Sequence, residues 1–155
     1  MNGLNEALLR QAGKWMDYAD KDLALAQHGL TMGQGCPYHL IAYHAQQCAE
    51  KYIKALLTLH GIDFPYTHSI LRLLELCPAE TGLKSELADA AILSQYAVST
   101  RYPGREDVVS ESEAIESIRQ AMLVRGACSQ ASWTLVQSHH MDGDARRLWP
   151  GMQQP

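Results

Sequence analysis

A chain of 155 residues is the size of one domain, and at 46% hydrophobic and 19% charged it has the composition of a folded globular protein rather than a disordered one. Its formal net charge of −4 excludes the broadly basic footprint of nucleic-acid binders. Between Glu75 and Glu116 nine acidic residues stand against three basic ones, a stretch that repels duplex DNA.

The first elements follow from apolar periodicity. From about Leu4 to Leu30 the residues Leu8, Ala12, Trp15, Met16, Ala19, Leu23, Ala26 and Leu30 recur at helical steps, and Gly29, Gly33 and Gly35 break the pattern. A second helix is expected from about Pro37 to His60, with Pro37 tolerated in the first turn and Gly61 as its stop. Its buried stripe reads Ile41, His44, Ala45, Cys48, Tyr52, Ala55, Leu56 and Leu59, and its polar strip Gln47, Glu50, Lys51 and Lys54. A short helix follows from Thr67 or His68 to the stop at Pro78.

The later elements complete the set. A fourth helix is expected over about Leu83 to Val98, using Leu87, Ala90, Ala91, Ser94 and Ala97, before the extended turn at Tyr102-Pro103. The last helix starts at the Ser110/Glu113 capping box and carries Ile115, Ile118, Met122, Arg125, Cys128, Ala131, Leu135 and Val136 to about Ser138. No stretch has the period of a strand. The fold class predicted is all-α: an antiparallel up-and-down four-helix bundle over residues 4–138 with one additional short helix, followed by a loose tail over 139–155.

Familiar chemistry is sparse. Cys36, Cys48, Cys77 and Cys128 form no C-x-x-C pair, so the thiols are read as reduced, in a cytoplasmic protein. No segment has signal-peptide or membrane-spanning character. His44 and Cys48 have the spacing of metal ligands on a helix, but no carboxylate joins them on that stripe. They are read as a core histidine beside a core cysteine, and neither metal nor cofactor is expected. There is no nucleophile elbow, no phosphate loop and no dinucleotide glycine fingerprint.

The run Gln46-Gln47-Cys48-Ala49-Glu50-Lys51-Tyr52-Ile53-Lys54-Ala55-Leu56-Leu57 is the strongest local signal. It stands in order with Trp15…Ala19-Asp20-Lys21-Asp22-Leu23…Ala26, Gly61, Thr67-His68-Ser69-Ile70-Leu71…Leu74 and Leu93-Ser94-Gln95-Tyr96…Thr100-Arg101-Tyr102-Pro103. Together these segments resemble the HEPN domain, a helical bundle named for a proposed nucleotide-binding role. The resemblance spans about Leu9 to Ser138. It implies a homodimer packed along its helices and, for many prokaryotic members, a nucleotidyltransferase partner. Some members are toxins of toxin–antitoxin pairs, and the toxic branch is a ribonuclease with an Arg followed after four to six residues by a His.

That motif is absent: the window after Arg101 holds Glu106, Asp107 and Val108, and after Arg105 it holds Ser110, Glu111 and Ser112. Without a positioned base the RNA 2′-hydroxyl has no evident route to activation, so the chain is not expected to be an enzyme. The expectation is a binding module that dimerises, pairs with a nucleotidyltransferase and holds a nucleotide at Gln47, Glu50, Lys51, Lys54, His68, Arg101 and Tyr102. Basic groups would hold phosphate there, and Tyr102 would stack on a base. The alternative function is a ribonuclease toxin with an altered motif. The alternative for the strip is a solvated face, with Arg101 pairing Glu50 or Asp22. Asp22 lies beside the apolar stripe and needs a cation, for which Lys51 and Arg101 are available.

Overall fold

The computed structural model describes residues 6–98, 103 and 108–139, and among them there are only helices, turns and loops. Three long helices carry the fold: α1 (Glu6–Gly29), α2 (Tyr38–Leu59) and, last in the chain, α5 (Glu111–Ser138). Between the second and the last lie the short helices α3 (Ile70–Leu76) and α4 (Leu83–Glu86) and a 3-10 helix over Ala88–Tyr96. The architecture is the all-α bundle expected.

α2 is the centre of the bundle, packed along its length by both α1 and α5. Side-chain pairs fix the directions. Gly29 lies against Ile41, Asp22 against His44, and Trp15 against Lys54, so α1 and α2 run antiparallel. Asp20 meets Arg125 and Gln27 meets Met122, so α1 and α5 are antiparallel too. α2 and α5 consequently run the same way, as the second and fourth members of an up-and-down bundle must.

The helix ends are local chemistry. Ser69 caps α3, its Oγ accepting from the backbone N–H of Arg72 at 3.3 Å. Ser110 and Glu113 exchange both hydrogen bonds of a capping box at the start of α5. Gly61 follows α2 with φ +65°, a left-handed conformation that a side chain would strain.

Three expectations need correction. The single helix predicted over Leu83–Val98 is one turn of α-helix followed by nine residues of 3-10 helix. Leu87, Ala90, Leu93 and Tyr96 are all buried, and three-residue spacing lines up on one edge only when the turn tightens to three residues. On α5 the predicted stripe holds only in part. Its Ile118, Cys128 and Val136 are buried, but Ile115 and Met122 are half exposed, and Ala114, Ser117, Ala121, Val124 and Ser132 face the core instead. Small side chains let α5 approach the crowded central helix, and close packing decides the face over side-chain size. His44 lies at the margin of the core and pairs with a carboxylate.

Candidate functional site

A central helix is buried nearly all round. Beyond its first turn, α2 reaches solvent only at Tyr43, His44, Gln47, Lys51 and Thr58. These positions share one face, since steps of three, four and seven return to the same side of a helix. The strip is a polar window in the wall of the bundle, and ionic clusters flank it on both sides.

On the α1 side, Asp22 is buried and bonds two α2 groups. Its Oδ1 lies 2.8 Å from His44 Nδ1, and its Oδ2 accepts from the Lys51 ammonium. A buried carboxylate needs such partners to offset its lost hydration, and Lys51 is one of the two cations the sequence offered. On the other side Glu50 is buried more deeply, at 3% exposure. Its Oε1 accepts from Lys54 Nζ at 2.6 Å; its Oε2 accepts from Gln46 Nε2 at 2.7 Å and lies 3.0 Å from His68 Nδ1. Gln47 completes the group by donating to Gln46 Oε1 at 2.7 Å. Burial by itself would raise the Glu50 carboxyl. The hydrogen bonds from Lys54, Gln46 and His68 outweigh it and hold the group below the ordinary carboxylate range.

The window closes beside Lys54. Its ammonium sits 5.5 Å from the ring centre of Trp15 and 5.6 Å from that of Phe64, between two aromatic faces. A third cluster lies on the α5 side of α2, where Asp20 accepts from the Tyr52 hydroxyl and from Arg125 Nε at 2.9 Å.

The structure thus divides the sequence candidates. Gln47, Lys51 and His68 line the window, with side-chain exposures of 21% for Lys51 and 27% for His68. Glu50 and Lys54 lie beneath it as a buried pair, which corrects the reading of the whole strip as a solvated face. A ligand outside the bundle does not reach Lys54. Arg101 and Tyr102 lie outside the described residues, as does the tail from 140 onward.

Sequence reasoning missed His44 as a window residue. The available signal was its place one turn before Gln47 and Cys48, on the boundary between stripe and strip. Aromatic rings stand near both imidazoles: Tyr43 against His44, and the 94% exposed Tyr66 edge-on to His68 at 5.5 Å.

Two carboxylates and two ammonium groups balance in charge at the window, with the imidazoles neutral. Each cation is engaged, so the site holds no standing surplus of positive charge. Among the described residues no cluster of three or more His, Cys, Asp or Glu has the geometry of a metal site. Burial holds three of the thiols in the unreactive protonated form: Cys48 is pushed up to about 12, Cys77 to about 11, and Cys128 well above its ordinary value.

Fold and window together define a helical bundle whose central helix carries buried carboxylate–cation pairs out to a polar opening. The HEPN domain family model matches residues 12–131, and the chain belongs to that family. Among solved structures it is similar to TT1696 from Thermus thermophilus, with 29% identity, a TM-score of 0.70, and coverage of 79% of this chain and 98% of that one. It also matches ST0689, described as an archaeal HEPN homologue, at 28% identity and a TM-score of 0.49, covering 83% and 97% of the two chains. No curated protein matches the sequence.

Proposed function

We propose that this chain is a non-catalytic HEPN binding module of the cytoplasm that holds the phosphate end of a nucleotide at the α2 window, dimerises, and works beside a nucleotidyltransferase. The observation that carries the binding reading is the window itself. It is the stretch where an otherwise buried central helix opens to solvent, and it is lined by His44, Gln47, Lys51 and His68. An ammonium, an amide and two imidazoles are groups that recognise phosphate oxygens, and an exposed tyrosine beside His68 offers a face for a base. Lys51 would share its proton donors between Asp22 and the ligand. Glu50, Lys54 and Gln46 support the site from below by fixing His68.

The dimer reading rests on α5. Ile115 and Met122 are 50% and 51% exposed, and Trp133, eleven residues on, is half buried on the same face. Steps of seven and eleven hold one side of a helix, and an apolar stripe of this kind on an outer helix suits a second copy. The nucleotidyltransferase partner is proposed from family membership.

Calorimetric titration with ADP, ATP and GMP tests the binding reading. Binding that Lys51→Ala weakens supports it, and no heat at millimolar nucleotide removes it. Degradation of RNA by the purified chain alone would replace it with the ribonuclease alternative.

A further inference from the structure

The two window histidines share one construction. His44 turns Nδ1 to the buried Asp22 at 2.8 Å, and His68 turns Nδ1 to the buried Glu50 at 3.0 Å. Each carboxylate is also held by a lysine, Lys51 for Asp22 and Lys54 for Glu50, so the acceptor that each ring faces is fixed in place. Among the described residues neither Nε2 has a hydrogen-bond partner.

A carboxylate accepts, so Nδ1 carries the proton that the dyad shares. The neutral ring then presents a bare lone pair at Nε2. A lone pair repels an anionic phosphate oxygen, and contact requires one proton between them. The proton sits either on Nε2, as an imidazolium held by its carboxylate, or on the phosphate. Where the free ring is neutral and the free phosphate fully ionised, the complex therefore holds one more proton for each histidine in contact than the separated partners hold, whichever atom keeps it.

We propose that the window is a proton-coupled phosphate site: His44 and His68 each take up one proton when a phosphate-bearing ligand binds, so affinity is gained in mild acid and lost in base. This inference rests on the nucleotide-binding reading above. The facing groups are consistent with it. His44 faces Asp22 from α1 and Lys51 and the Tyr43 ring from α2, and His68 faces Glu50 from α2 and the Tyr66 ring from its own loop. With both rings neutral the window is electrically balanced. Two added protons turn it into a dication, which supplies the attraction that the engaged ammonium groups do not.

The test is titration of the full chain with ADP, and separately with inorganic pyrophosphate, from about pH 6 to about pH 8. Each pH is run in two buffers of different ionisation enthalpy, so that protons taken up are counted directly. The expected affinity falls by up to about a hundredfold per pH unit above the imidazole range when both rings engage, and by about tenfold for one ring. His68→Gln and His44→Gln, which keep an amide donor that does not titrate, should each reduce the proton count by one. His28→Gln, at an exposed position on α1, should leave it unchanged. Binding with the same affinity at every pH and no proton uptake overturns this inference and leaves the nucleotide reading standing. No binding of either probe at any pH overturns both.

Discussion

Glu50 and Lys54 show how much one buried pair can decide. Their side chains are 4% and 9% exposed, and the carboxylate also holds Gln46 and His68. Removing one partner leaves the other charged and buried. Glu50→Ala and Lys54→Ala are each expected to cost about 3–5 kcal/mol in urea unfolding, and the double replacement Glu50→Leu/Lys54→Met less than either. If the double variant costs the sum of the two, the residues act independently and the pair is not the unit. Spacing alone paired these residues, since Glu50 stands four before Lys54. It did not show them buried, because charge in a sequence reads as surface until the packing around it is known. Asp22 was the reverse case: its place beside an apolar stripe announced a need for a cation, and Lys51 meets it.

At the scale of the element, the region between α2 and α5 packs Leu73, Leu74, Leu83 and Leu93 into the core, and a hydrogen bond ties its two halves together. The backbone N–H of Ile70, wholly buried at the first turn of α3, donates to Ser94 Oγ at 2.9 Å across to the 3-10 helix. Ser94→Ala strands that donor and should destabilise by about 1–3 kcal/mol. Hydrogen exchange should show the Ile70 amide opening faster than those of α2. Unchanged exchange at Ile70 would mean another group satisfies it. The cap at Ser110 and the stop at Gly61 were legible, because they are chemistry between neighbours in the chain; the short helix expected from Thr67 or His68 starts later, at Ile70 behind the Ser69 cap. The tight winding of Ala88–Tyr96 was not legible. Leu87, Ala90, Ala91, Ser94 and Ala97 fit an α-helical stripe, and what turns Leu93 and Tyr96 inward instead is the surface the segment packs on.

For the whole molecule, two buried or part-buried groups among the described residues make stability fall with acid, beside the exposed Glu113 and Glu116, whose carboxyls are also held low. His60 ends α2 with its Nε2 buried and unpartnered among the described residues, and burial lowers its pKa, with His139 adding to that and Glu80 opposing. The unfolded chain therefore binds the His60 proton more readily, and stability is lost as pH drops through the ordinary imidazole value near 6.5. Glu50 is depressed as well, so its contribution holds above the usual carboxylate pKa and disappears as pH falls through the folded value. Denaturant midpoints should decline in two steps, and His60→Phe should flatten the first alone. A single acid step in both proteins would refute this. Assembly is the other property at this scale: Met122→Glu on α5 should convert a dimer to a monomer by light scattering without loss of helix content, and a dimer that survives both Met122→Glu and Ile115→Glu lies elsewhere. The sequence by itself determined the helical class, the order of the elements, the caps and the family, because period, capping and motif order are properties of residues near each other along the chain. Only the tertiary structure decided that α2 is the buried axis, that α5 buries Ala114, Ser117 and Ala121 while leaving Ile115 and Met122 half exposed, and that His44 joins Gln47, Lys51 and His68 at one opening. Those facts depend on which faces compete for the same interior, and that competition is settled by packing between segments far apart in sequence.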